Sequence, residues 1–425
     1  MSSVGEAVPA RRWYYGWNIV AATIVSQIAA DGLTYNAFPL FVQRWSRDLH
    51  APISELQLAV VALVLTCALA SPATGVLADR LPARRLFACG LLGIGIFYVA
   101  VSMAKAAWEL IALFGLLAPL ALCLSTSVTA NPLISRWFVR RRGLALGLSA
   151  FGLGIGGVLL PPLIAELLPQ VGWRTIWRVG GLAVAVLVTP LVALVMRDRP
   201  TKADGLAYLG DASEQRAHQD PLSHASGPGW REILGHRNFW LLLGIYLPMM
   251  AVYGGVAQNL PPYAASHGWD RLLAGQLLSV LNLSQVAATL ALGVLSDRFG
   301  NRLPLVGLAV VVGTGAAALA FGTALPAIVL GCVFVGFGGG IFTLLAAAMA
   351  VEYGATGLGR AFGASMFFLP LGSFAPFAIA KTQEMTGSYR PALIGTVLLA
   401  AISGGLSLLL RERGRIGRAA AGSER

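Results

Sequence analysis

Long apolar stretches, each bounded by charged residues, proline or glycine, alternate with short polar segments along almost the whole chain. A helix needs about 20 apolar residues to cross the hydrocarbon core of a bilayer. Stretches of that length lie at 15–41, 53–78, 84–104, 107–134, 142–167, 174–196, 238–263, 271–296, 302–322, 326–351, 360–382 and 390–411. The pattern therefore predicts an all-α membrane protein with twelve transmembrane helices.

One long polar segment separates the first six predicted helices from the last six. The string GVLADRLPARR at Gly75–Arg85 follows the second helix, and GVLSDRFGNR at Gly293–Arg302 follows the eighth. Similar strings at corresponding points of two halves indicate an internal duplication. We therefore predict two pseudo-symmetric six-helix bundles. The predicted segments are an N-terminal tail at 1–14, a bundle at 15–196, a cytoplasmic linker at 197–237, a bundle at 238–411 and a tail at 412–425.

Composition agrees with this pattern. Apolar residues make up 56% of the chain and charged residues 12%, with a mean hydropathy of +0.72. Soluble domains carry about 25% charged residues, so a soluble protein is excluded. The four cysteines all lie in apolar runs without metal-ligand spacing, which favours small core residues. No nucleotide-binding loop, metal cluster or catalytic triad is evident, so we expect neither a cofactor nor an enzyme.

The net charge of +12 could indicate binding to nucleic acid or to an anionic membrane. Its placement decides between them. Most of the 31 lysines and arginines fall on the predicted face that holds both termini and the linker. The exceptions are Arg44, Arg47, Lys105, Arg174, Arg178, Arg271, Lys381 and Arg390. By the positive-inside rule, we expect a multi-pass protein of the cytoplasmic membrane with both termini cytoplasmic, and no nucleic-acid partner.

The two loop strings resemble the cytoplasmic signature G-x-x-x-D-R-x-G-x-R of the major facilitator superfamily. The second copy matches throughout, whereas the first has Pro82 in place of the second glycine. The resemblance implies a secondary transporter that works by alternating access. In this family the loop forms a charge relay that locks one conformation. It therefore implies a cytoplasmic gate at Asp79, Arg80, Arg84, Arg85, Asp297, Arg298 and Arg302.

Within the superfamily, four strings resemble the monocarboxylate and oxalate/formate branch. They are YYGWNIV at 14–20, RWFVRRRGLALGL at 136–148, RDRPTKADGLAYLGD at 197–211 and NLPPYAASHG at 259–268. The resemblance implies a carrier of organic anions. However, Gln285 and Thr289 stand where that branch carries an acid and an arginine four residues apart. A carboxylate would then depend on neutral donors, and a neutral or cationic substrate stays open.

Asp31 lies near the middle of the first predicted helix, between alanines and a glycine. An ionised carboxylate at the bilayer centre costs roughly 2.5–3.5 kcal/mol on insertion scales. Such a group faces a cavity or a partner, because burial disfavours its charged form. Asp31 is therefore a candidate for proton coupling or for pairing with a cationic group. The alternative is a structural hydrogen-bonding role between helices.

Further polar residues are predicted to line the same central cavity. Gln27, Asp31 and Tyr35 are spaced by four and share a helix face. The other candidates are Asn36, Asn131, Gln258, Asn259, Tyr263, Asn282, Gln285 and Thr289. For each of them, hydrogen bonding between helices is an equal alternative to substrate contact.

The sequence as a whole predicts a secondary active transporter for a small organic solute. A monocarboxylate-like metabolite is the first expectation, with proton symport through Asp31. The expected partners are the solute, protons and the lipid bilayer, and the expected oligomeric state is a monomer. Two alternatives stay open: an efflux carrier of a neutral or cationic molecule, and a non-transporting membrane sensor that keeps a transporter fold.

Overall fold

The computed structural model describes residues 14–138, 141–200 and 230–410. In these ranges the regular secondary structure is helical throughout. Ten of the helices are long and apolar enough to cross a membrane. The predicted all-α membrane fold is confirmed. Two local features explain why ten long helices are found where twelve spans are predicted.

The described residues of the first half form nine α-helices. They are α1 (Gly16–Asp31), α2 (Phe38–Asp48), α3 (Ile53–Arg80), α4 (Ala83–Met103), α5 (Ala107–Ala112), α6 (Ala118–Ser125), α7 (Ser127–Trp137), α8 (Arg142–Ala183) and α9 (Thr189–Val195). Three π-helical segments join them in places, at Gly32–Asn36, Leu113–Leu117 and Val184–Val188.

The second half continues the same architecture. Its helices are α10 (Trp230–Gly235), α11 (Arg237–Ser266), α12 (Arg271–Phe299), α13 (Arg302–Phe321), α14 (Leu325–Phe337), α15 (Ile341–Phe367), α16 (Leu369–Gly372), α17 (Ala375–Thr386) and α18 (Arg390–Leu408). Helix α10 lies inside the predicted linker, of which 201–229 falls outside the described residues.

Two features account for the difference between ten long helices and twelve predicted spans. The first predicted span is split, because α1 passes into a π-helical segment at Gly32 and the chain continues as α2. The fifth and sixth predicted spans form one stretch of 52 residues, Leu144–Val195. This stretch turns at Gly172, whose φ of 76° and ψ of 159° are essentially restricted to glycine.

Each half has a hydrophobic core of its own. One cluster of buried apolar side chains runs from Tyr14 to Met196, and the other from Ile233 to Leu410. Many large apolar side chains, such as Leu116, Leu194 and Val310, remain exposed on the outside. Such a surface is unfavourable in water and is typical of helices that face lipid.

In the described residues, the halves contact each other mainly along three helix pairs, α8 with α12, α3 with α17 and α2 with α11. The approach of α8 to α12 depends on Gly275. A Cβ atom at this position would lie 2.9 Å from both the Ala165 Cβ and the Pro161 carbonyl oxygen. Small residues permit this close packing of helices in lipid, where association depends on van der Waals contact.

The halves are held together at the end of the bundle that carries the α2–α3 and α17–α18 connections, which we call the joined end. There, Glu384 of α17 accepts hydrogen bonds from the Ser54 backbone N–H at 2.8 Å and from the Ser54 hydroxyl at 2.7 Å. Along α3, Val60 is 1% exposed near this end, whereas Val76 is 54% exposed near the other. The packing around α3 therefore loosens away from the joined end.

Candidate functional site

Asp31 lies at the point where α1 changes its helical geometry. The π-helical segment Gly32–Asn36 follows directly, and the Ala37 N–H donates to the Gly32 carbonyl oxygen at 2.8 Å. Single π-turns within α-helices are frequent at functional sites. The Asp31 side chain is partly exposed, but its Oδ2 atom is buried and has no hydrogen-bond partner. A buried polar atom without a partner is uncommon in native structures and calls for a ligand, a proton or water.

Tyr98 of α4 supports the helix on either side of this carboxylate. Its hydroxyl lies 2.9 Å from the Ala29 carbonyl oxygen and 3.0 Å from that of Ala30. The Thr34 hydroxyl lies 2.6 Å from the same Ala30 oxygen and 3.2 Å from the Tyr98 hydroxyl. These bonds satisfy carbonyl groups next to the π-turn and hold the backbone that presents Asp31.

Two predicted site residues of the first helix bind neighbouring helices of their own half. The Gln27 amide nitrogen donates to the Ser149 carbonyl oxygen at 2.9 Å, and the Ser127 hydroxyl donates to Gln27 Oε1 at 3.2 Å. Asn36 donates to the Leu153 carbonyl oxygen at 3.2 Å. Gln27 is fully buried, so this geometry favours its structural alternative. A role in substrate binding remains a prediction for both residues.

Three residues form a hydrogen-bonded chain that crosses the interface between the halves twice. The Gln57 amide nitrogen donates to the Gln258 carbonyl oxygen at 3.0 Å. The Gln258 amide nitrogen in turn donates to the Tyr35 carbonyl oxygen at 3.4 Å. The side-chain oxygens of Gln57 and Gln258 are buried without partners. Since Tyr35 follows Asp31 by four residues, this chain ends about one helical turn from the carboxylate.

The second half contributes a neutral polar network. The Tyr253 hydroxyl donates to Gln285 Oε1 at 2.6 Å, and Asn282 Oδ1 lies 3.3 Å away. The Asn282 amide nitrogen donates across the interface to the Gly157 carbonyl oxygen at 3.0 Å. Thr289 donates to the Gln285 carbonyl oxygen of its own helix at 2.9 Å. The structure thus brings Asn282 and Gln285 together where α8 meets α12.

Asn259 and Tyr263 lie deeper within the second half. Asn259 donates to the Gly255 and Pro376 carbonyl oxygens at 2.9 and 3.0 Å. The Tyr263 hydroxyl donates to the Leu319 carbonyl oxygen at 2.8 Å. Both side chains therefore connect helices within one bundle. The remaining candidate, Asn131, is exposed on α7.

The first copy of the predicted gate motif connects α3 to α4 through an extended backbone. Leu81 has φ −105° and ψ 151°, and Pro82 has φ −59° and ψ 131°. The Ala83 backbone N–H, at the start of α4, donates to the Asp198 carboxylate that follows α9. A carboxylate at a helix N-terminus is favourable because the unpaired N–H groups carry partial positive charge.

The second copy connects α12 to α13 through a tight turn. Gly300 has φ 75° and ψ −175°, and its N–H donates to the Ser296 carbonyl oxygen at 3.0 Å. Arg302 donates to the Leu408 carbonyl oxygen at 2.7 Å, which joins this loop to the end of α18. The two copies therefore reach similar connections through different backbone conformations.

The gate residues are only partly accounted for. Four predicted gate arginines, Arg80, Arg84, Arg85 and Arg298, are exposed at the ends of their helices. The side chains of Asp79 and Asp297 lie outside the described part of the structure. The charge relay itself therefore remains a prediction.

Sequence reasoning missed Gln57 and Glu384, two residues that join the halves. Gln57 lies one turn into an apolar helix, where a buried amide is costly unless it is hydrogen-bonded. A glutamine inside an apolar helix was therefore the sequence signal that could have identified Gln57. Glu384 lies close to a predicted span end, which is also where a solvated carboxylate would be expected. Nothing in its sequence position indicates a bond to Ser54.

Known proteins are similar to this chain over most of its length. The sequence model of the Major Facilitator Superfamily matches residues 23–377. The MFS-type transporter YhjX of Escherichia coli is 26% identical over 84% of this chain and 85% of its own length. Monocarboxylate transporter 12 of Mus musculus is 25% identical over 89% of this chain and 82% of its own.

A solved structure shares the fold. It is the crystal structure of a bacterial homologue of the human lysosomal transporter Spinster, in an inward-facing and unoccupied conformation. It superposes with a TM-score of 0.69 at 16% identity and covers 94% of this chain and 97% of its own. At this identity the similarity concerns the fold alone.

Proposed function

The chain belongs to the Major Facilitator Superfamily, and we propose that it carries a small organic solute across the cytoplasmic membrane by alternating access, coupled to protons at Asp31. The family is one of transporters, and the chain is not an enzyme. The observation that carries the proposal is the buried, unpartnered Oδ2 of Asp31 beside a π-turn. A lone carboxyl group in this setting can exchange a proton as its surroundings change.

The arrangement of the halves supports alternating access. Each half has its own hydrophobic core, so each can move as a unit. Hydrogen bonds from Glu384 and Gln258 join them near one end. The placement of arginines predicts that this joined end is extracellular. The conformation is then inward-facing, and we propose that a monomer of this form completes the cycle by rocking.

Reconstitution into liposomes with an internal pH-sensitive dye tests this function. Lactate, oxalate and butylammonium are added in turn under an imposed pH gradient, and solute-dependent proton flux is recorded. We expect at least one solute to move protons in the wild type, and Asp31→Asn to abolish that coupling.

Asp270→Asn is the matched control. Asp270 caps α12 by accepting the Leu273 N–H at 2.7 Å. Asparagine caps helices about as well as aspartate, so this variant should transport normally. Solute flux that ignores the pH gradient would exclude proton coupling. The absence of gradient-driven flux for every solute would instead favour the sensor.

A monocarboxylate substrate is the second candidate. The observation in its favour is the similarity to monocarboxylate transporter 12 over 89% of the chain. In the same assay, the monocarboxylate hypothesis predicts that lactate moves with protons and that butylammonium does not.

A further inference from the structure

Buried side-chain oxygens on α1, α3 and α11 have no hydrogen-bond partner. We infer that the transported solute presents a primary ammonium group to the carboxylate among them. This inference rests on the proposed function and concerns the chemical class of its substrate. These oxygens include Oδ2 of Asp31 on α1, Oε1 of Gln57 on α3 and Oε1 of Gln258 on α11.

The orientation of the two amides makes their free atoms hydrogen-bond acceptors. Each amide nitrogen already donates to a backbone carbonyl, that of Gln258 for Gln57 and that of Tyr35 for Gln258. Turning either amide over would place its oxygen against a carbonyl oxygen. The groups left to be satisfied are therefore acceptors, which need a partner that donates.

The distribution of charged residues also favours a solute with a positive charge. The predicted spans that carry these three oxygens, at 15–41, 53–78 and 238–263, contain no lysine or arginine. A carboxylate solute would meet no cation on these spans and would face Asp31. A buried charge without an opposite partner is strongly unfavourable. A solute that brings its own positive charge removes this penalty from Asp31.

An ammonium group matches the chemistry of these acceptors. It carries three N–H donors, and its bond to a carboxylate is charge-assisted and stronger than a neutral one. Asp31 lies about one helical turn from Tyr35, whose carbonyl oxygen holds the Gln258 amide. One donor of the solute can pair with Asp31, and the unpaired amide oxygens of Gln258 and Gln57 are acceptors for other donor groups of the solute.

A panel of matched compounds tests the inference on the purified full-length protein. Propyl, butyl, hexyl and phenylethyl skeletons are each supplied as the ammonium, the alcohol and the carboxylate, and thermal stability is followed with concentration. We expect the ammonium compounds to stabilise the protein at lower concentrations than their alcohols. The carboxylates should have the weakest effect.

Variants relate this preference to the site. Asp31→Asn should weaken ammonium binding at least tenfold, while Asp270→Asn should leave it unchanged. Gln258→Leu removes one acceptor and should weaken it several-fold. If Asp31→Asn fails to fold, the order in which ammonium compounds, alcohols and carboxylates bind the wild type still tests the inference. The inference is overturned if carboxylates bind as well as ammonium compounds, if no compound binds, or if ammonium binding survives in Asp31→Asn.

The outcomes separate this inference from the proposed function. Gradient-driven flux of lactate without ammonium binding would retain the transporter and overturn the ammonium assignment. Ammonium binding that depends on Asp31, without any flux in liposomes, would retain the site and exclude transport.

Discussion

The first long helix of each half carries a different polar side chain within the span. Asp31 stands eight residues before Pro39 in the first half, and Tyr253 stands eight residues before Pro261 in the second. The Tyr253 hydroxyl donates to Gln285 at 2.6 Å within its own half. The Asp31 Oδ2 atom is buried without a partner.

The backbone differs at these two positions as well. Helix α11 continues without a break from Arg237 to Ser266, whereas the first half turns into a π-helical segment directly after Asp31. The duplicated architecture therefore carries two specialised halves. The second half provides a satisfied framework at this point, and the first half presents an unsatisfied group on an irregular backbone.

The largest expected effect comes from removing the carboxylate of the first half. Asp31→Asn should reduce proton-coupled flux more than tenfold, because the amide cannot take up and release a proton at neutral pH. Tyr253→Phe, in the first long helix of the second half, should reduce flux only a few-fold, because it removes one neutral hydrogen bond. Liposome flux measures both. Equal losses in the two variants would show that the halves are not specialised in this way.

The two loop copies should respond differently to alanine. Gly300 has φ 75° and ψ −175°, a region that costs other residues about 1–3 kcal/mol. Gly300→Ala should therefore destabilise the protein by about that amount. Pro82→Ala should change stability by less than about 1 kcal/mol, since φ −59° suits both residues. Thermal unfolding in detergent compares the variants, and equal shifts would contradict the backbone argument.

The bond between Glu384 and Ser54 tests how firmly the halves are joined. Glu384→Gln removes the charge from two hydrogen bonds and should weaken the joined end by about 1 kcal/mol. Backbone hydrogen exchange at Ser54 should then accelerate several-fold, because its N–H donates to that carboxylate.

Lys381→Met provides the control for this prediction. It removes the cation 3.5 Å from the Glu384 carboxylate but keeps the bonds to Ser54. Exposed ion pairs contribute little, so exchange at Ser54 should stay near the wild-type rate. Faster exchange in this variant alone would assign the contact to the ion pair.

The smallest expected effect is on the stability of the second half. Tyr253→Phe leaves Gln285 Oε1 without its donor at 2.6 Å, which should cost about 0.5–1.5 kcal/mol. Chemical or thermal unfolding measures this loss. An unchanged stability would mean that Gln285 finds another partner, and the second half would then be less rigid than the comparison implies.

The spans were predictable because the hydrophobic period and length of a helix in lipid are local properties. The split of the first span was not, since the residues around Asp31 contain no proline until Pro39. The π-turn is accompanied by bonds from Tyr98, which lies 67 residues away along the chain. A local pattern cannot encode a partner so distant in sequence.

The polar site was predicted as a set, but the roles within it were not. Gln27 and Gln258 are both amides on first helices of their halves, and they have the same hydrogen-bonding capacity. Gln27 is satisfied by Ser149 and Ser127, while Gln258 keeps a free oxygen next to the interface. Only the neighbouring helices distinguish the two.

By itself, the sequence determined the membrane class and the family, and it predicted the duplicated halves, the gate motifs and the isolated carboxylate at Asp31. These follow from apolar run length, repetition and the cost of charge in lipid, all of which are readable along the chain. The tertiary structure decided which polar atoms remain unpaired and where the halves are joined. Hydrogen-bond satisfaction depends on atoms brought together across helices, so it emerges only when the bundles pack.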